Sequence, residues 1–438
     1  MNQSYTVTQQ IFSLSWLSNI AAAKLGTEEE LQALAVTKVN AVLSDPVVIG
    51  LIGEWEVVWG PVVYKIFPDI QGYADNTMFV AKRSDNSGKP FYVIAVAGTN
   101  PYSWYGWFVE DFNVSNTEAW PFYQAPDPAQ QPRISQGTGI GVNALTDKMM
   151  WQGQKLADFL ATLTDQAIDI TVTGHSLGGA LSPTLALALV DNQGSGKAWN
   201  WDPDQRAVVC AMPSAGATPG DVNFSQYYDD KLATRTTRLW NSLDIVPHAW
   251  QVDMLKAIPT LYSPEIPASF LVELMVGIAI AASIAGGDYF QITPNTPPLP
   301  GHINSQQLTG QLAEMTASLD LELLNKLIAR LLEKATDAGT ANTDPSALQR
   351  AFKSVLQPGS GPAKPVLNEY HASKLSPGLL LKADKSLASL SEDELQLLAS
   401  NFSRFLAQAG YQHVNFYIDY LGVQAFVAQM ISIMGSEL

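Results

Sequence analysis

Cysteine is almost missing from this sequence, Cys210 being the single example. A lone cysteine excludes an intramolecular disulfide and any metal site built on thiolates. Its setting, Ala207-Val208-Val209-Cys210-Ala211, reads as a strand and suits a buried, unreactive thiol. Charge is sparse as well, at 15% of residues, and lopsided, with 41 acidic against 25 basic side chains and a net charge of −16. That balance argues against nucleic acid and anionic membrane surfaces as partners, since both are recruited by basic patches. No Lys or Arg precedes Lys24, so the basic start of a secretory signal is missing. Calcium-binding Gly-Gly-x-Gly-x-Asp repeats are missing too. Cytoplasmic location is the default expectation, with secretion through a separately cleaved leader left open.

Hydrophobic residues make up 47% of the 438, enough for a sizeable core. The length exceeds one minimal domain and suits a core domain carrying a large insertion. From Met1 to Lys65 apolar residues recur at mixed spacings of three and four, which predicts helix. Short strands are expected at 78–82 and 91–96, and Val142 to Leu163 reads as one amphipathic helix feeding a strand at 168–173. Further strands are expected at 207–212 and 237–241. Strands alternating with helices indicate an α/β fold with a mostly parallel central sheet.

Beyond Trp250 the character changes. Residues 266–287 carry one charge, Glu273, and are followed by a strand-like run at 288–292, a Pro-rich loop and helical patterns near 303–335, 344–357 and 391–408. The expected organisation is therefore a core at 1–250 with a helical N-terminal segment and a largely helical insertion at 251–410, forming a cap or pocket region. A C-terminal core element follows at 411–438. Ile266–Gly287 is long enough to cross a bilayer, but Pro267 opens it, Glu273 lies inside it and no basic residue flanks it. A buried insertion helix is expected there, and no transmembrane segment.

The most informative stretch is Val172-Thr173-Gly174-His175-Ser176-Leu177-Gly178-Gly179-Ala180. It is a Gly-x-Ser-x-Gly elbow set between a β-branched run and an Ala/Leu-rich helical run, the context in which a serine projects from a sharp turn above a sheet. A serine hydroxyl needs a base to take its proton and a carboxylate to orient that base. On this fold they follow the serine in the order acid, then histidine. Asp244 fits the acid, in the abrupt turn Asn241-Ser242-Leu243-Asp244-Ile245-Val246-Pro247. His302, His371 and His413 all follow it. His413 is favoured because it heads a helical run, Tyr411 to Leu421, that returns to the core. Leu177 N–H, at the start of a helix, offers one donor for an oxyanion, and Thr99, after the strand at 91–96, offers another.

These elements resemble the fungal-type class 3 lipases over about residues 75–250 and the last 28. Ala97-Gly98-Thr99 is similar to that family's oxyanion loop, and Trp107-Phe108-Val109-Glu110-Asp111 to the end of its lid. Asn241–Pro247 is similar to its acid turn, and His413 with Tyr417 and Leu421 to its closing His-x-x-x-Tyr-x-x-x-Leu. The resemblance implies an α/β-hydrolase fold in which Ser176, Asp244 and His413 form the triad, with Thr99 and Leu177 as the oxyanion hole. No metal or organic cofactor is implied. Two departures stand out: Ala97 replaces the family's arginine, and 169 residues separate Asp244 from His413, far more than the family's usual connection.

The expected function is lipase-type hydrolysis of acylglycerols or similar neutral esters, at an interface, through an acyl-enzyme. The aromatic run at 101–108, with Trp104, Trp107 and Phe108, is the candidate lid. The rival enzyme reading is a non-lipolytic esterase for feruloyl, short-chain or polyester substrates. A catalytically silent binding module is the rival of another class, and an intact Ser, Asp and His set argues against it.

Overall fold

The computed structural model describes residues 4–84, 88–98, 114–123, 130–268, 270–305, 401–402 and 404–435. A five-stranded sheet runs β1 (Trp55–Tyr64), β2 (Asn76–Arg83), β3 (Phe91–Val96), β4 (Ile168–His175) and β5 (Ala207–Ser214), neighbours in that order. β1, β2 and β3 pair antiparallel, whereas β3 with β4 and β4 with β5 are parallel. The parallel part continues through single bridges, Ala211 to Thr236, Ser214 to Leu239 and Asn241 to Leu299. The expected strand at 237–241 is thus an extended segment touching β5 at isolated points. The architecture is the α/β-hydrolase arrangement expected, a mixed sheet whose catalytic half is parallel.

β3 is apolar on both sides because both faces of the sheet are covered, whereas β4 is apolar on one face, Ile168, Ile170 and Val172, and carries Asp169, Thr171 and Thr173 on the other. Val93 and Ala95 face one layer, with Phe12, Leu14 and Leu17 of the first helix (Val7–Leu17) and Phe416, Tyr417 and Phe426 from the C-terminal region. Ile94 and Val96 face the other, with Leu181, Leu185 and Leu189 of the elbow helix (Leu177–Asp191) and Phe224. The period-two alternation along the strand thus builds two separate cores. The N-terminal and C-terminal helices share one of them. Gln9 Nε2 donates to Leu421 O and Gln429 Nε2 to Asp45 Oδ1, across the two ends of the chain.

Several expected elements differ. The helical reading of Met1 to Lys65 ends at Ile52, where Gly53, at a φ of 79°, terminates the helix Pro46–Ile52. The next ten residues are rich in Val and aromatics and form edge strand β1 instead. The single helix expected from Val142 to Leu163 is broken into Gln136–Asn143, a wide turn, a small hairpin and Leu156–Ala161. Gln152 and Gly153, both at positive φ, make the tight hairpin turn responsible. The run at 288–292 does not rejoin the central sheet. It pairs with the 220–222 turn through Tyr289 opposite Asp221.

Ile266–Gly287 contains a helix of 17 residues, Phe270–Gly286, short of the ~20 needed to cross a bilayer. Among the described residues no single helix is long and apolar enough to do so. Val272, Met275, Val276 and Ala279 of this helix pack on Ile245, Val246 and Trp250, just beyond Asp244. Phe402, Phe405, Leu406 and Ala409 join the same cluster. The helix expected at 344–357, and most of those at 303–335 and 391–408, lie outside the described residues.

Candidate active site

β4 delivers Ser176 through a turn that only glycine-rich sequence allows. Ser176 sits at a φ of 61° and ψ of −120°, a strained conformation for any residue with a side chain. A Cβ on Gly174 would lie 2.2 Å from Gly178 O, and one on Gly178 would lie 2.3 Å from Val96 O. Strand, turn and helix therefore touch backbone to backbone, and the serine is pushed out of the end of the sheet. Pro183, the seventh residue of the elbow helix, lies inside it, so the hydrogen bond that an N–H there would make to Gly179 O is missing.

Ser176, His413 and Asp244 come together. Ser176 Oγ lies 2.8 Å from His413 Nε2, and His413 Nδ1 lies 3.0 Å from Asp244 Oδ2 and 3.1 Å from Oδ1. The carboxylate accepts, so Nδ1 carries the proton, and Nε2 faces the serine hydroxyl as the acceptor. All three side chains are buried. Asp244 also accepts from Val246 N–H at 3.0 Å and from Tyr417 Oη at 3.0 Å. Burial and the adjacent carboxylate push the Tyr417 hydroxyl well above its ordinary range, keeping it a donor.

Asn241 joins the acid turn to the histidine-bearing segment. Its Nδ2 donates to Gln412 Oε1 at 2.6 Å and Gln412 O at 3.1 Å, and its Oδ1 accepts Leu243 N–H at 3.0 Å. Asn241 N–H donates to Tyr417 Oη at 2.9 Å. His413 lies in a widened turn, Tyr411–Asn415, that runs into the helix Phe416–Leu421. Gln412 and Tyr417 are thus anchored on either side of His413 in sequence. Sequence reasoning marked Asn241 only as the first residue of the acid turn and Gln412 not at all. The spacing of His413 and Tyr417, one helical turn, was the available signal.

The other histidines have different partners. His302 Nε2 meets Tyr411 Oη at 3.2 Å, and its ring lies near Phe416. His248 Nδ1 donates to Asp244 O at 2.7 Å, and burial lowers its pKa. His175 backs His413, the ring centroids 5.0 Å apart, and is walled by Phe12, Trp16 and Tyr417. Burial, with the neighbouring His413, holds His175 well below 6.5 and hence neutral. His371 lies outside the described residues, as do Thr99, Trp104, Trp107 and Phe108.

Leu177 opens the elbow helix, so its N–H has no intrahelical partner and stands beside the serine. Gly98, the last described residue before Thr99, is close by. A Cβ there would lie 3.3 Å from Ser176 Cβ. Gly98 N–H donates to Asn19 Oδ1 at 2.7 Å, a contact from the N-terminal helices that the sequence did not disclose. Among the described residues no three His, Cys, Asp or Glu side chains converge to hold a metal ion. A separate cavity of about 570 Å³, lined in part by Phe122, Val142, Lys155 and Trp199, contains none of the residues Ser176, Asp244 and His413.

A buried serine–imidazole–carboxylate line at the end of a parallel strand defines the serine-hydrolase class of site. The family model for class 3 lipases matches residues 93–254. The solved M37 lipase is 32% identical, and the likeness covers 69% of this chain and 86% of that one with a TM-score of 0.59. The chain belongs to the class 3 lipase family. Among curated proteins, phospholipase A1-IIalpha of Arabidopsis thaliana is 30% identical over 171 residues, 37% of this chain and 39% of its own length. Phospholipase A1-II 3 of Oryza sativa subsp. japonica is 28% identical over 153 residues, 33% of each chain. The chain thus spans less than two fifths of the length of these two plant relatives. His413 and the N-terminal helices fall outside the residues that the family model matches.

Proposed function

We propose that this chain is a lipase-type carboxylic-ester hydrolase acting on acylglycerols or similar neutral esters. The observation that carries the reading is the buried line from Ser176 Oγ through the His413 ring to Asp244, with distances of 2.8 and 3.0 Å. Ser176 attacks the ester carbonyl while His413 Nε2 takes the hydroxyl proton. Asp244 holds the imidazole with its proton on Nδ1 and stabilises the imidazolium that forms. The tetrahedral oxyanion is bound by Leu177 N–H and, from the sequence position after Gly98, by Thr99. Each such donor contributes about 3 kcal/mol to the transition state. Collapse returns the proton to the leaving alcohol and leaves an acyl-Ser176. A water activated by His413 then releases the carboxylic acid.

A second substrate class, phosphoglycerides, is favoured by the names of the plant relatives. Both classes would use the same machinery and differ only in what fills the cleft. The test is hydrolysis of a soluble p-nitrophenyl ester before and after treatment with a serine-directed phosphonate. Loss of activity together with a single adduct on the peptide containing Ser176 is the expected result. Turnover that survives full modification of Ser176 would overturn the reading. Triacylglycerol and phosphatidylcholine, offered in parallel, separate the two substrate classes.

A further inference from the structure

The loop between β1 and β2 presents apolar side chains to solvent although it is tightly built. Lys65 is buried beneath it, and its ammonium donates to Gly26 O at 2.5 Å, Ile70 O at 2.7 Å and Gly72 O at 3.1 Å. Gly26 and Gly72 exchange a pair of backbone hydrogen bonds of 3.0 and 3.1 Å, and Glu28 N–H donates to Pro68 O at 2.8 Å. Asp75 Oδ2 accepts Ile66 N–H at 2.7 Å. A loop fixed at so many points cannot fold its side chains under itself. Leu25, Ile66, Phe67, Ile70 and Tyr73 stay 64%, 53%, 66%, 61% and 44% exposed. Those five are among thirteen large hydrophobic residues exposed in the described structure, so the exposure is concentrated at one knot. Exposed apolar side chains gathered on one loop and the turn bonded to it mark a place where something else binds.

Its position in the fold indicates what binds. Tyr64 pairs with Asn76, Met78 with Val96, and Val96 with Gly174, so the loop leaves the sheet at the end from which Ser176 projects. Strands lie about 4.8 Å apart, which puts the knot roughly 10–15 Å to the side of the serine strand. The surrounding charge is acidic. Glu28, Glu29, Glu30, Asp69 and Asp75 flank the knot, Lys65 is buried within it, and Lys24 is the neighbouring cation. An anionic lipid surface would be repelled, while an apolar anchor ringed by carboxylates suits a net-neutral one.

We propose that Leu25, Ile66, Phe67, Ile70 and Tyr73 form an anchor that seats the protein on a net-neutral lipid surface, bringing the Ser176 end of the sheet to that surface. The proposal rests on the ester-hydrolase reading for its purpose, but the binding is a separate measurable property. The anchor is fixed and belongs to the sheet, so it acts independently of the aromatic run after Thr99.

The experiment is co-sedimentation of the full chain with phosphatidylcholine vesicles, compared with vesicles rich in phosphatidylglycerol. p-Nitrophenyl acetate turnover is followed on the same samples. Phe67→Ser/Ile70→Ser is expected to lower the phosphatidylcholine partition coefficient at least about tenfold with acetate turnover unchanged. Phe67→Leu, which keeps an apolar tip, is expected to retain most binding. Val208→Ser, at an exposed apolar position near the other end of the sheet, is expected to bind as the wild type does. Undiminished binding by the double variant, or stronger wild-type binding to phosphatidylglycerol, would overturn the proposal. So would a wild-type dimer that the double variant abolishes in sedimentation, because the patch would then face a second copy. Wild-type protein that binds vesicles but does not turn over the acetate would instead sink the hydrolase reading and leave the anchor standing.

Discussion

Asn19 and Gly98 are joined by a hydrogen bond of 2.7 Å, from the Gly98 N–H to the Asn19 side-chain oxygen. The Asn19 amide nitrogen donates to Ser15 O and Trp16 O, so the carboxamide has a fixed orientation. Gly98 in turn has no room for a side chain, since a Cβ would lie 2.6 Å from His175 O. The N-terminal helices thereby hold the backbone that leads into the expected oxyanion loop. Asn19→Ala is expected to lower kcat about 10- to 100-fold with KM changed little, because the loss falls on transition-state positioning. Asn19→Asp keeps an acceptor for Gly98 but turns its second oxygen toward two carbonyls, so it should lose stability as well. Kinetics on a soluble ester beside thermal melting decide the matter. A lower Tm with unchanged kcat would leave Asn19 a purely structural residue.

Asn241 and Gln412 tie the acid turn to the histidine segment across 171 residues of chain. Asn241→Ala removes two buried donors from Gln412 and one partly buried acceptor from Leu243 N–H. The expected cost is about 2–4 kcal/mol of stability, from buried polar groups left unpaired. Turnover should fall as well, since His413 is then held by fewer contacts. Asn241→Asp restores the acceptor for Leu243 alone and is expected to recover little. Denaturant titration and kcat, measured together, check this. Full activity in Asn241→Ala would show that this hydrogen-bonded link is not needed to place His413.

Ser176→Ala, Asp244→Asn and His413→Ala are each expected to lower kcat by about 10³- to 10⁶-fold. The double Ser176→Ala/His413→Ala should lose little more than the worse single variant, because the groups act as one unit. Simple multiplication of the single losses, or near-full activity in His413→Ala, would contradict the roles assigned.

The elbow was legible because its residues are contiguous in sequence and Gly174 meets Gly178 across the turn, although the atoms that exclude a Cβ at Gly178 and Gly179, Val96 O and Ser214 O, come from neighbouring strands. The acid turn was legible for the same reason. The N-terminal contribution was not. Asn19 looks like any polar residue at a helix end until the fold brings Gly98 to it, a separation of 79 residues. Edge strand β1 was misread because Trp55, Trp59 and the valines between them satisfy helical spacing as well as strand propensity. Only the glycine stop at Gly53 and pairing with β2 distinguish the two. The break at Gln152-Gly153 was missed because the flanking residues keep an amphipathic rhythm through the hairpin.

His175 and His248 are held neutral by burial, both below the ordinary 6.5. In the unfolded chain both titrate near that ordinary value. Below it the unfolded state therefore binds protons that the folded state does not, and stability falls as pH drops toward the folded-state values. Above it both states are neutral and the contribution is constant. His248→Gln removes one such site. Its Tm is expected to fall less steeply than that of the wild type between about pH 6.5 and 5, with parallel curves above about pH 7. Curves that stay parallel across the whole range would show that His248 takes up its proton in the folded protein.

The helix Phe270–Gly286 lies over the acid turn, and Ile280 packs at the edge of a cluster that includes Ile245, Val246 and Trp250, with Leu177 and Leu243 beside it. That position makes this apolar helix face the expected wall for an acyl chain bound at Ser176. Ile280→Glu would place a carboxylate there, and a charge beside a hydrocarbon chain is penalised in proportion to the chain it meets. The kcat/KM for p-nitrophenyl palmitate is expected to fall about tenfold more than that for the acetate. The acetate serves as the internal control, because its two-carbon acyl group offers almost no hydrocarbon chain for the charge to meet. Equal losses on both esters, accompanied by a lower Tm, would mean that Ile280 contributes to packing alone and that the acyl chain runs elsewhere.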